Sequence, residues 1–259
     1  ALAAEEPVGP RGADFLPGLQ AKLAQALDPA RKLPLDQAAG LYWDYRDLSP
    51  SGAEGDILVN RLAGRLQAAG IYARAAALLE YQLFNRAGDL ARGPLSARVA
   101  SLHVLAGRPD RAPDLLKRSA DPAYPDAMIH ARKRVEAVAL AQIGRVSEAF
   151  VVLQDVPGAA ALRAEILWKR RDWQGLVAET ASALPRPGAL SEVDQAVVLR
   201  PAISLAMLGR EDGLAALRSR YQASFRGLRT APVLDMLTGA PGSVNPEMLA
   251  RAMAAMPGA

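Results

Sequence analysis

The chain has 259 residues, carries 31 basic against 27 acidic side chains for a net charge of +4, and contains no cysteine. Disulfides and thiolate metal centres are therefore excluded, and so small a basic excess allows an acidic partner without requiring one. Hydrophobic residues make up 51% of the chain but aromatics only 5%, a balance dominated by alanine that suits closely packed helices and disfavours a β-sandwich.

Residues 1–12 are rich in Pro and Gly and predict a flexible tail with nothing to pack. The chain begins at Ala1 rather than Met, which reads as a region cut from a longer protein or as a mature end after processing; the first is the expectation. A helix is predicted over 13–27 (ADFLPGLQAKLAQAL), stopped near Asp28-Pro29, and a second over 35–48. Tyr42, Trp43 and Tyr45 fall within four positions of that second helix, so it should be touched by more than one neighbour, and 13–50 is expected to form an N-terminal capping pair. Ser49-Pro50-Ser51-Gly52 predicts a turn, with Ser51 and Glu54 in capping-box spacing.

From 51 to 224 the pattern predicts five helix pairs: 52–69 with 71–86, 93–106 with 109–119, 125–143 with 146–154, 158–170 with 173–184, and 191–208 with 211–224. Gly93-Pro94, Asp121-Pro122, Pro125, Pro157-Gly158 and Pro185 to Gly188 fall where a helix should stop. Residues 225–259 predict a helix over 231–238, a loop over 239–244 and a last helix over 246–256. Met248, Leu249, Ala252, Met253 and Met256 give that last helix one apolar stripe. The stripe reads either as packing onto the preceding pair or as a face for a further repeat or a partner.

The five pairs share one skeleton. Ala63, Gly70, Ala75 and Leu79 recur as Ala100, Gly107, Ala112 and Leu116, and again as Ala137, Gly144, Ala149 and Leu153, with a period of 37 residues. Two looser copies follow, with Arg171 in the glycine slot of the fourth and Gly209 in that of the fifth, and Leu176 and Leu214 in the second alanine slot. Seven residues are two helical turns, so the first alanine and the glycine share a face. The glycine should end the first helix in a left-handed conformation, and the next alanine should let the second helix pack close. Four residues before each glycine slot a larger side chain (Leu66, His103, Leu140, Leu167, Leu205) should plug the space between the two helices. The step from Gly144 to Arg171 is only 27 residues, which predicts a tight turn at Pro157-Gly158 and a bend there.

Over residues 56–221 this skeleton resembles the tetratricopeptide-repeat (TPR) family, without that family's early tryptophan and with steps of 37, 37, 27 and 38 rather than 34. The text around LYWDYRDLSPSGAEGD is similar to long TPR-containing proteins of alphaproteobacterial type. The resemblance implies an all-α fold, a right-handed α-solenoid of stacked helical hairpins. It also implies that the first helix of each pair lines a concave, partner-binding face. The inward or adjacent positions hold Asn60, Arg61, Gln67, Arg98, Ser101, Arg134, Gln142, Glu165, Trp168, Lys169 and Arg200. Arg61, Arg98 and Arg134 are 37 and 36 residues apart and should stack into a ladder. Such a ladder offers bidentate hydrogen bonds to an acidic peptide, with Trp168 as an apolar anchor. The plainer alternative is that these arginines are solvated or paired within the chain.

Signals for chemistry are absent. His103 occupies a plug position, and His130 lies beside Arg132-Lys133-Arg134, a poor setting for a metal; no ligand pair or nucleotide-binding motif occurs. Lys117-Arg118 and Lys169-Arg170-Arg171 are basic clusters without the interleaved aromatics expected of a nucleic-acid surface. No catalysis, cofactor or metal is therefore expected. The expected role is a non-catalytic protein–protein interaction scaffold, one region of a larger bacterial envelope-associated or assembly protein. The alternatives are the helical body of a cell-wall enzyme or complex, or a binder of nucleic acid or another anionic polymer.

Overall fold

The computed structural model describes residues 15–239 and 246–254. Among these, every regular element is helical: fourteen α-helices, two short 3₁₀ turns and no strand. The expected tail over 1–12 and Met256 lie outside the described residues. The chain divides into two compact units, Ala1–Val152 and Leu153–Ala259. The division falls inside the short 27-residue step between Gly144 and Arg171.

In the first unit α1 (Leu16–Ala26) and α2 (Leu35–Asp44) precede three hairpins: α3 (Ala53–Ala68) with α4 (Tyr72–Asn85), α5 (Asp89–Leu105) with α6 (Arg111–Arg118), and α7 (Asp126–Gln142) with α8 (Val146–Val152). Each packs on the next, and α5 also packs directly on α7. The core runs continuously through Tyr42, Leu62, Leu66, Leu79, Val99 and Leu102. Of Tyr42, Trp43 and Tyr45 only Tyr42 enters it; Trp43 is 41% exposed and Tyr45, just past the end of α2, 51%. The second unit holds α9 (Ala160–Lys169) with α10 (Trp173–Thr180), α11 (Glu192–Met207) with α12 (Glu211–Phe225), then α13 (Ala231–Leu237) and α14 (Pro246–Ala254). Its core gathers Leu199, Ile203, Leu214, Tyr221, Phe225 and Leu234 around α11. Ala252 is fully buried, and Leu249 and Met253 pack against that core, so these three residues of the stripe on α14 serve ordinary packing.

The hairpin turns show why the skeleton recurs. Gly70, Gly107, Gly144, Arg171 and Gly209 all have positive φ, between 57° and 88°. In each copy the N–H of this residue bonds the carbonyl three residues back, at 3.0–3.1 Å. The next N–H bonds the carbonyl five residues back, at 2.8–3.0 Å. This paired cap satisfies carbonyls that a helix end leaves without partners. The carbonyl reached by the longer bond belongs in turn to Leu66, His103, Leu140, Leu167 and Leu205, the plug residues. All five plug side chains are buried. Each plug residue thus anchors its hairpin twice, by backbone and by side chain.

The looser copies solve close packing differently. Ala75, Ala112 and Ala149 are fully buried where the second helix meets the first. Leu176 and Leu214 are buried in the same slot, and the small residue has moved one position earlier, to Gly175 and Gly213. A methyl group at Gly175 would lie 2.9 Å from Leu167 Cδ2, and one at Gly213 would lie 2.7 Å from Leu205 Cδ2. The plug leucine therefore lies over a glycine rather than an alanine.

Two local expectations are corrected. Helix α5 begins at Asp89, and Gly93-Pro94, read as a break, lies inside it. Pro94 forfeits one backbone bond, but Gly93 has no Cβ to clash with the ring, which is the usual reason a residue before proline leaves the helical region. Ser51 and Glu54 form no capping box, because Gly52 occupies the cap position with φ 73° and Ser51 stands one residue outside. The turn instead folds the Pro50 carbonyl so close to α3 that a methyl at Gly55 would lie 1.9 Å from its oxygen. The box that does form is Ser191 with Asp194 at the start of α11.

Candidate functional site

The expected concave residues divide between the units. In the first, Arg98 on α5 is half-buried and reaches back to α3, where Nη1 donates to Asn60 Oδ1 at 2.8 Å and Nε to Gln67 Oε1 at 3.1 Å. Burial pulls its guanidinium below the ordinary arginine range. Arg61, Arg134 and Gln142 are exposed, on α3, α7 and α7. Arg98 is thus a stitch between successive first helices rather than an open rung.

The corresponding stitch from α7 to α5 comes from Arg132, named in the sequence only as part of the basic run beside His130. Arg132 is 7% exposed; its guanidinium donates to Ser96 Oγ, to the Leu116 carbonyl and, at 3.3 Å, to Ser119 Oγ, and lies 5.3 Å from the Tyr124 ring centre. Ser96 precedes Arg132 by 36 residues, about one repeat, and that spacing was the available signal.

In the second unit Glu165, Trp168, Lys169 and Arg200 do come together. Arg200 Nη1 on α11 donates to Glu165 Oε2 on α9 at 2.6 Å, and Lys169 Nζ lies 3.4 Å from Glu165 Oε1. The Arg200 guanidinium sits 5.5 Å from the Trp168 ring centre, and Trp168 meets Trp173 edge-on at 5.5 Å. The Arg200 Nε is buried with no partner. Beside this cluster runs a groove of about 580 Å³ between α9, α10 and α11. Ala160, Ala161, Ala164, Ala183 and Ala196 line it, and their small side chains leave the room.

Val193, Ala196, Val197 and Arg200 form one wall, at helical spacings of three, four and seven. Val193 is 73% exposed. Pro201, four residues after Val197, has no N–H to give the Val197 carbonyl, so α11 lacks one backbone bond beside this wall. These valines escaped the sequence reading because it counted polar side chains at inward positions.

His103 is 2% exposed, and its Nε2 meets Glu80 Oε2 at 2.9 Å. That hydrogen bond holds the Glu80 carboxyl below the usual glutamate value, against the opposing effect of partial burial. Among the described residues no three His, Asp or Glu side chains gather as metal ligands, and no helix is long and apolar enough to cross a membrane. No family model, curated protein or solved structure matches the chain.

Proposed function

We propose that the chain is a non-catalytic scaffold of TPR-like hairpins, stacked as an α-solenoid within each unit, which holds a segment of a partner protein along the first helices of its pairs. Five hairpins with one shared cap support the repeat reading. So do the side-chain bonds that link residues about one repeat apart: Arg98 to Asn60, Arg132 to Ser96, Arg200 to Glu165 and Thr230 to Gln195. The observation that carries the function is the α9–α11 groove. It combines an exposed apolar wall with a small-residue floor. Its charges are largely paired within the chain, Arg200 with Glu165 and Arg163 with Glu179 at 2.9 Å, so contact there rests on shape and apolar burial.

A photo-crosslinking amino acid at Val193 in the native cell tests this. One dominant protein adduct is expected, and a bulky Ala196→Trp substitution that fills the groove should abolish it. No adduct, or an adduct indifferent to Ala196→Trp, removes the proposal.

A further inference from the structure

We propose that the first unit carries a second binding site, in the groove between α6 and α8, for a peptide segment that presents a carboxylate beside apolar side chains. This site rests on the first unit alone and stands or falls separately from the α9–α11 groove.

The groove encloses about 880 Å³, with α7 beneath it and the 120–124 connection at one end. Its apolar surface comes from Leu116, Ile129, Leu140, Val151 and Val152, and Val151 is 69% exposed. Three cations line it without a carboxylate at ion-pair distance among the described residues: Lys117, Arg132 and Lys133. Arg132 is the decisive one. Its guanidinium is buried, yet its hydrogen bonds go to hydroxyl and carbonyl oxygens, which satisfy its N–H groups without neutralising its charge. Glu136, one turn along α7, offsets part of the cost of that burial without reaching ion-pair distance, and an anion arriving in the groove relieves more of it.

The remaining charges are already engaged or opposed. Arg145 pairs with Glu148, Asp114 with Arg118 at 3.8 Å, and Asp121 accepts the Ala123 N–H at 2.8 Å. Glu136, half-buried in the same groove, has no hydrogen bond or close ion pair among the described residues and feels Arg132, Lys133 and Arg145 only at longer range. One carboxylate against three cations leaves a net positive charge with room for a singly charged group but opposes a dense polyanion. The apolar lining likewise suits a side-chain-bearing peptide better than a phosphate chain.

The test is a selection of random 12-residue displayed peptides against the intact chain, with a Lys117→Glu/Lys133→Glu variant as the counter-target. Lys117 is exposed and Lys133 only half-buried, so the variant should keep its helical circular dichroism. Enriched peptides are expected to pair Asp or Glu with Leu, Ile or Val, and to lose at least tenfold in affinity for the variant. Glu136→Gln should tighten the same peptides several-fold. Failure to enrich, a basic or neutral consensus, or peptides that bind both forms equally would overturn the site. Displacement of the peptides by single-stranded oligonucleotide or by phosphatidylglycerol vesicles at lower concentration than by free peptide would overturn it in favour of an anionic polymer or a membrane surface.

Discussion

Arg171 holds a backbone conformation, φ 57°, that costs a residue with a side chain about 1–2 kcal/mol. The other four copies place glycine there. Arg171→Gly should therefore raise stability by about 0.5–1 kcal/mol, after the added freedom of the unfolded chain is subtracted. Gly107→Ala should lower it by about 1 kcal/mol; urea unfolding of both variants checks the pair, and equal effects would contradict the shared cap. Gly55→Ala should cost more than either, because the Pro50 carbonyl leaves no room for a methyl and both partners are backbone.

At the scale of elements, the contact between plug residue and second helix sets how closely a hairpin closes. Alanine inside a helix is ordinarily worth about 1 kcal/mol over glycine. At Gly213 the 2.7 Å approach to Leu205 should reverse that sign, so Gly213→Ala destabilises. In a Leu205→Ala background the reversal should vanish and the alanine should stabilise. Simple additivity in this double-mutant cycle would show that the leucine does not limit the approach. The same scale explains why boundaries were partly unreadable. Helices continue through both Pro94 and Pro201, although the sequence signalled a break at the first and not at the second. Proline removes one bond and one donor, and neighbouring packing decides whether that ends a helix.

Over the whole molecule, two half-buried carboxyls, Glu80 and Glu136, contribute to the response to acid with opposite signs. Glu80 is held below its ordinary value by His103, so its contribution is present above the unfolded pKa and is lost as pH falls through the folded one. Glu136 is raised by burial, so its protonated form suits the fold. Its contribution is present below the unfolded pKa and is lost as pH rises through the folded one. Glu136→Gln should stabilise the chain at neutral pH and leave its stability in acid nearly unchanged. His103→Leu should weaken the acid dependence that comes from Glu80. Urea midpoints measured across the carboxylate range separate the two, and a Glu136→Gln curve parallel to wild type would contradict the sign.

The repeat, the helix pairs and the positions of the turns inside the five hairpins, Arg171 included, were legible in the sequence. They depend on spacing within about two helical turns of one chain segment, and such local relations are carried by residue order alone. The polar slots were legible as positions, but their partners were not. That Arg98 is taken up by Asn60 and Gln67, that Arg132 rather than Arg134 goes inward, and that Val193 lines an open groove depend on which faces meet between elements about one repeat apart. A helix turns 100° per residue, so one step in register exchanges a buried side chain for an exposed one. Only the packed tertiary structure decides that register.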